Sequence, residues 1–299
     1  MRMLWLQTLR NLKIFVKDKA NIFFALLAPL IVLGLYILFL GKTQTDTLLD
    51  VLKGMGVTGA DDDIRSFADC WILSGVMASA GITVPLCACG VMVQDETRGI
   101  RNDLLSAPIP RWMPSAAYFL AVVLSGCLIG FVVLALCLGW LALSGGWFLS
   151  ALEVLGLVGL LLLSVLSSST LLVFVVGFLR TEGAFTGLNV VLGTVIGFLI
   201  GAYMPLSMFP KGVQYVTLFV PGSYSAALFR NLFLSGALEN ISQNVSAAFA
   251  DSLAEQYALQ LDAFGTSLSV TAMALILAGT VLLFAAANLV KAFVKKNVR

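Results

Sequence analysis

The chain has 299 residues, of which 60% are hydrophobic and only 11% charged. An ordinary soluble domain carries roughly a quarter charged residues, so a water-soluble fold is excluded and a protein embedded in a bilayer is indicated. Eighteen Lys and Arg balance 16 Asp and Glu, with no His at all. That argues against nucleic acid as a partner and removes the commonest metal ligand and general base.

The first predicted element is residues 1–19. Trp5, Leu9, Leu12 and Val16 recur at helical spacing, with Arg10, Lys13 and Lys17 on the opposite side. This pattern predicts an amphipathic helix lying in the headgroup layer, its basic side toward anionic lipid or a partner protein.

Apolar runs then follow at residues 20–40, 70–93, 114–143, 151–179, 185–203 and 266–290. Each is near or above the roughly 20 residues that cross a bilayer. The first lacks a small-residue cleavage site and is expected to be retained as a span. A seventh run, 221–234, is only 14 residues long and contains Arg230. It suits a re-entrant helix better than a crossing one. The predicted fold class is therefore an all-α polytopic membrane protein in one transmembrane domain, 1–299. It has six transmembrane helices, the N-terminal interfacial helix, and a re-entrant outer helix between spans five and six.

Charge sets the expected orientation. With both termini inside, 13 Lys and Arg lie on the inner side and five on the outer. Such a bias favours that insertion. The loop 94–113 is then cytoplasmic and 204–265 forms the larger outer region. Residues 41–69 read as a polar outer loop, and Asp61-Asp62-Asp63 within it as a solvated patch. Phe249, Leu253, Tyr257, Leu261 and Phe264 predict a polar helix capping the outer surface.

The five cysteines, Cys70, Cys87, Cys89, Cys127 and Cys137, fall in apolar runs and outline no disulfide framework. No metal site is predicted. Three short strings imitate nucleotide-binding motifs without their context: Gly54-Met55-Gly56-Val57-Thr58-Gly59, Gly41-Lys42-Thr43 and Leu143-Ser144-Gly145-Gly146. A glycine fingerprint has meaning only between a strand and a helix, so no nucleotide-hydrolysing module is expected in this chain. Without His, and with no Lys inside a span, no catalytic constellation remains. The span interiors also lack the mid-membrane charges that proton-driven transporters use.

The most informative stretch lies between the second and third spans, Val93-Gln94-Asp95-Glu96-Thr97-Arg98-Gly99-Ile100-Arg101-Asn102-Asp103-Leu104-Leu105-Ser106-Ala107-Pro108-Ile109-Pro110-Arg111. It reads as an acidic start, a glycine, a short charged helix and a proline stop. This string resembles the cytoplasmic loop of type-2 ABC transporter permeases, matching it at Asp95, Glu96, Gly99, Asp103, Leu104, Leu105, Pro108 and Ile109. The usual Glu two places before the glycine is Thr97 here. A second match, Phe209-Pro210-Lys211-Gly212-Val213-Gln214 followed by Pro221, is similar to the family's outer re-entrant segment, with Gly212 at the frequent Trp position.

The resemblance implies a homodimer or pseudo-dimer of permeases, docked to two copies of a separate ABC ATPase subunit. That subunit would hold ATP and Mg; no cofactor is expected in this chain, and the chain by itself is not expected to be an enzyme. The resemblance assigns ATPase coupling to Asp95, Glu96, Gly99, Asp103, Leu104, Leu105, Pro108 and Arg111. Within that loop, Leu104 and Leu105 are expected to form the apolar contact, and Asp95, Glu96 and Asp103 its polar rim. The translocation path and dimer contact would involve Asn189, Gly193, Gly197, Gly201, Phe198 and Met204, and the outer gate Pro205, Phe209, Pro210 and Pro221. Gly193, Gly197 and Gly201 repeat every four residues, which permits close helix approach, within the chain or between copies. The expectation is an exporter of amphipathic or hydrophobic compounds, drugs or antimicrobial peptides, in a prokaryotic plasma membrane. A polysaccharide or teichoic-acid exporter, and a signalling or assembly protein that does not transport, are the alternatives.

Overall fold

The structure is a computed structural model that describes residues 1–54, 60–110 and 112–294. Arg111, Met55 to Gly59 of the glycine string, Lys295, Lys296 and Arg299 lie outside the described residues, as does the side chain of Leu105.

The chain is almost wholly helical. Helix α1 (Arg2–Lys17) and α2 (Lys19–Leu35) lead through a π-helical turn (Tyr36–Leu40) directly into α3 (Gly41–Gly54). Next come α4 (Asp61–Ala88), α5 (Gly90–Thr97), α6 (Ile100–Ser106), α7 (Met113–Ser144), α8 (Ala151–Val176) and α9 (Glu182–Leu199). A 3-10 turn (Leu206–Met208), α10 (Lys211–Thr217), α11 (Pro221–Asn244) and α12 (Ala247–Gln256) follow. A two-residue hairpin, β1 (Asp262–Ala263) with β2 (Thr266–Ser267), precedes the last helix, α13 (Val270–Val294).

Among the described residues, five helices are long and apolar enough to cross a membrane: Asp61–Thr97, Met113–Ser144, Ala151–Val176, Glu182–Leu199 and Val270–Lys291. The sixth expected span, 20–40, is the 17 residues of α2 plus the π turn. The protein is an all-α polytopic membrane protein.

The second span is the central post. Its sequence is apolar or small all round, and a helix without a polar face must be surrounded. Every residue from Phe67 to Val93 is buried, and α2, α3, α7, α8, α9 and α11 all pack against it. Small residues permit the close approach: a Cβ on Gly75 would stand 3.0 Å from the backbone of Ala202. The π turn is tied to this post where Tyr36 Oη donates to Asp69 Oδ1 at 2.7 Å.

Several expectations need correction. The polar stretch after residue 40 is not a loop but α3, held to α4 by Leu48 and Leu52 at i and i+4. Asp61, Asp62 and Asp63 occupy the first turn of α4, where carboxylates are favoured by the helix dipole. The capping helix predicted to reach Phe264 stops at Gln256; Ala258 and Phe264 take positive φ, and the hairpin turns at Gly265. The short apolar run 221–234 begins a helix of 24 residues, not 14. Beyond Leu234 its sequence turns polar, but Ala237 and Ile241 keep the buried stripe running along the Asp61 end of α4. A hydropathy reading stops at the polar residues, whereas the helix continues wherever protein contact goes on burying one stripe.

The course of α10 and α11 follows from close contacts. Helix α9 stops partway along α4, and Ser223 Oγ at the start of α11 donates to Leu199 O at 3.2 Å. A Cβ on Gly222 would touch Ile82, deep along the post. From there α11 climbs until Asn244 Nδ2 donates to Asp63 Oδ2 at 2.9 Å, at the far end of α4. Lys211, which opens α10, pairs with Asp262 of the hairpin at 3.2 Å on that same end. The chain thus dips in with α10 and returns with α11, a re-entrant pair.

Candidate functional site

The face of the bundle that carries α1 also carries the turn between α5 and α6. Helix α5 ends at Thr97, and Gly99 takes φ +76, a left-handed conformation that costs a residue with a Cβ. The Gly99 carbonyl then accepts from Asn102 N at 2.9 Å and Asp103 N at 3.3 Å and so starts α6. Pro108 and Pro110 prevent α6 from running on. The chain restarts as α7, with Pro114 in its first turn, a position that tolerates the missing N–H. One glycine and three prolines therefore make a short helix jut from between two long ones.

The loop's residues divide by exposure. Asn102, Asp103, Ala107 and Pro108 are exposed, and Leu104 is half-buried. Asp95 is not in the exposed rim where the sequence put it. It is 3% exposed, and three donors converge on its carboxylate. Arg10 of α1 engages it with both terminal nitrogens, Nη2 reaching Oδ1 at 2.9 Å and Nη1 pairing with Oδ2. Tyr118 of α7 donates to Oδ2 at 2.6 Å. Hydrogen bonding to Asp95 raises the pKa of Arg10 above its ordinary value. Asp95 is thus an internal clamp joining α1, α5 and α7. Glu96 is half-engaged as well, accepting from Arg101 Nη1 at 2.6 Å across the Gly99 turn. Thr97 Oγ1 donates to Glu182 Oε1 at 3.2 Å, linking the loop to the start of α9.

Tyr118 had no assigned role in the sequence, and Arg10 was placed only on a basic face turned to anionic lipid or a partner. Arg10 belongs to a basic face, and nothing in its periodicity names a partner 85 residues away. Helix α1 itself packs differently from expectation. Thr8, Asn11 and Phe15 are buried on the side that meets α7. Trp5 and Val16 of the expected apolar face stay exposed, so the rest of the protein does not cover that face.

On α9 the glycine ladder resolves into three different situations. Gly193 has nothing within 4 Å of where its Cβ would be. Gly197 is covered by its own chain, because Tyr203 folds back and its ring occupies the place an added Cβ would take. Gly201 ends the helix with φ +69. Ala202 N donates to Gly197 O at 2.8 Å and Gly201 N to Phe198 O at 3.0 Å, the paired bonds of a Schellman cap. The fifth span therefore stops at Leu199, short of the expected residue 203.

Asn189 is half-buried and accepts a long contact from Cys87 Sγ at 3.7 Å. Phe198 is exposed and meets the Tyr203 ring edge-on, and Met204 is half-buried beside it in sequence. Of the gate residues, Pro205 and Pro221 are buried, Phe209 is half-buried and Pro210 exposed. Behind them Arg230, fully buried, donates to Ile200 O, Gly201 O and Ala258 O. The sequence offered Arg230 only as a reason against crossing; its place is between the end of α9 and the hairpin segment.

Residues 2–234 match the family model of the ABC-2 type transporter membrane domain. A comparison with curated proteins returned no match. The matched segment takes in α1, the Gly99 turn with its Asp95 clamp, α9 and α11 as far as Leu234. With its multi-pass helical bundle, the chain belongs to the ABC-2 type transporter family and is a membrane-embedded permease of an ABC transporter.

Proposed function

We propose that this permease exports amphipathic or hydrophobic compounds, drugs or antimicrobial peptides, powered by separate ABC ATPase subunits, one for each of two permease copies. The observation that carries the reading is the α5–α6 turn. An exposed short helix, broken from its neighbour at Gly99 and clamped through Asp95 to α1 and α7, can pass a push from a docked protein into three helices. Leu104, Asp103 and Pro108 present the contact surface.

The apolar exposed face of α9, with Val190, Val191 and Phe198, supports a lipid-like cargo and a second copy facing the same surface. Gly193 lies on that helix with open space beside it. The Lys and Arg bias supports cytoplasmic termini and a cytoplasmic coupling loop in a prokaryotic plasma membrane.

The test is ATP hydrolysis by the reconstituted permease and its ATPase in the presence of candidate amphipathic compounds. Stimulation by such a compound is expected in the wild type. Changing both Leu104 and Leu105 to Ala should abolish it or release the ATPase, because truncating apolar anchors costs about 2 kcal/mol or more of binding. Full assembly and full stimulation in that variant would remove the loop from the coupling role.

A further inference from the structure

Helix α1 presents three faces, of which one packs on the protein and one is apolar and exposed. Thr8, Asn11 and Phe15 meet the protein, and Trp5 and Val16 are exposed on the apolar side. Along the third runs a groove of about 340 Å³ lined by Leu6, Leu9, Arg10, Lys13, Ile14 and Lys17. Three cations and three aliphatic side chains share it, and no carboxylate is among the lining residues. Arg10 is neutralised by Asp95. Lys13 and Lys17 are exposed and have no ion-pair partner among the described residues. The sequence of α1 contains Arg2, Arg10, Lys13 and Lys17 and no acidic residue.

We propose that this groove binds one anionic phospholipid, its phosphate held by Lys13 and Lys17 and its upper acyl carbons lying on Leu6, Leu9 and Ile14. Charge complementarity selects an anionic ligand. The mixture of aliphatic and basic side chains, beside the exposed Trp5 and Val16, selects a ligand that is itself half apolar. Because Arg10 shares the groove with the two lysines, the bound phosphate would lie one helical turn from the cation that holds Asp95. The site depends on the membrane placement of α1 and not on the identity of the cargo.

The test uses the full chain, purified in mixed micelles holding equal phosphatidylglycerol and phosphatidylcholine and analysed by native mass spectrometry. Retention of phosphatidylglycerol over phosphatidylcholine is expected. Changing Lys13 and Lys17 together to Gln should lower that preference roughly tenfold, since each surface cation contributes appreciably to anionic-lipid attraction. The control pair Lys42→Gln with Lys53→Gln removes the same charge from α3 and should leave the preference unchanged. No preference in the wild type, or an equal fall in both pairs, overturns the proposal. Full preference in the Lys13 and Lys17 variant also overturns it and leaves the groove to a protein partner. Displacement of the lipid by excess inorganic phosphate would make the ligand a free phosphate ion and overturn it as well.

Discussion

Arg230 of α11 donates from Nη2 to the carbonyl oxygen of Gly201 at 2.7 Å, so the cation of the re-entrant hairpin closes the carbonyl end of α9. The same nitrogen reaches Ile200 O at 2.7 Å, and Nη1 reaches Ala258 O at 3.3 Å. A helix C-terminus concentrates unpaired carbonyls and partial negative charge, which explains how a fully buried guanidinium is held by backbone oxygens alone. Three segments that are distant in sequence meet at this one side chain.

Replacing Arg230 with Met should therefore keep the volume but leave three carbonyls without their donor. Each unsatisfied buried group costs about 1–3 kcal/mol, partly offset because a buried cation is no longer desolvated. A net loss of about 2 kcal/mol is expected, read as a lower thermal midpoint of the purified protein. Arg230→Lys should recover part of it, since an ammonium can still reach one or two of the oxygens. An unchanged midpoint in Arg230→Met would show that water or relaxation satisfies those carbonyls.

The Asp95 clamp predicts energetic coupling across 85 residues of sequence. Removing Arg10 leaves a buried carboxylate with only Tyr118 as a side-chain donor. Breaking a fully buried pair costs about 3–5 kcal/mol; Arg10 is 36% exposed, so screening lowers the expectation to about 2 kcal/mol. In a double-mutant cycle of Arg10→Ala and Asp95→Ala, the coupling energy should exceed about 1 kcal/mol. Faster proteolytic release of α1 should accompany either single change. Additive effects would mean that the two side chains act independently.

At Gly99, φ of +76 makes the backbone rather than the surroundings the constraint, for nothing lies within 4 Å of an added Cβ. Gly99→Val should lose most of the substrate-stimulated ATP hydrolysis of the assembled transporter, with a conformational cost of about 1–2 kcal/mol. Gly99→Asn should be milder, because Asn enters the left-handed region more readily. Equal activity in the Val and Asn variants would contradict the left-handed turn.

The α9 glycines should separate two functions. Gly197→Ala pushes against the Tyr203 ring and is expected to lower stability, with partial rescue by adding Tyr203→Ala. Gly193→Leu meets nothing within its own chain, so its thermal midpoint should hold. If a second copy packs there, the dimer fraction measured by light scattering falls. A lowered midpoint together with an intact dimer would reverse these roles.

Topology has a labelling test. With four of the five native cysteines buried and the fifth half-buried, new cysteines at exposed Glu239, Lys42 and Asp103 can be compared directly. An impermeant thiol reagent should reach Glu239→Cys and Lys42→Cys from one side of the membrane and Asp103→Cys only from the other. Labelling of Glu239→Cys and Asp103→Cys from the same side would refute the re-entrant course of α10 and α11.

Much of the site is legible in the linear order of residues. The Asp95 to Pro108 string announces a short helix between two spans, and Gly99 and the prolines mark its ends by backbone chemistry that is local. Arg230 within a short apolar run marks a segment that does not cross. Helix α3 was not read from the sequence, although Leu48 and Leu52 at i and i+4 mark its buried stripe. The polar residues around them, on a helix half in and half out of protein contact, hide that stripe from a hydropathy reading.

The membrane class, the family and nearly every apolar span follow from composition and order alone, because transfer of a run of side chains into lipid depends on that run and on nothing distant. The role of each polar group comes instead from the packing of helices. Asp95 is a clamp because Arg10 and Tyr118 arrive beside it; Gly197 is an internal contact because Tyr203 folds back; Arg230 is a helix cap because α9 ends where α11 begins. Those outcomes depend on which helices are neighbours and at what depth they stop. Most of these pairings join residues tens of positions apart, and none of them, not even Gly197 with Tyr203 across the end of α9, is recorded by periodicity within one helix.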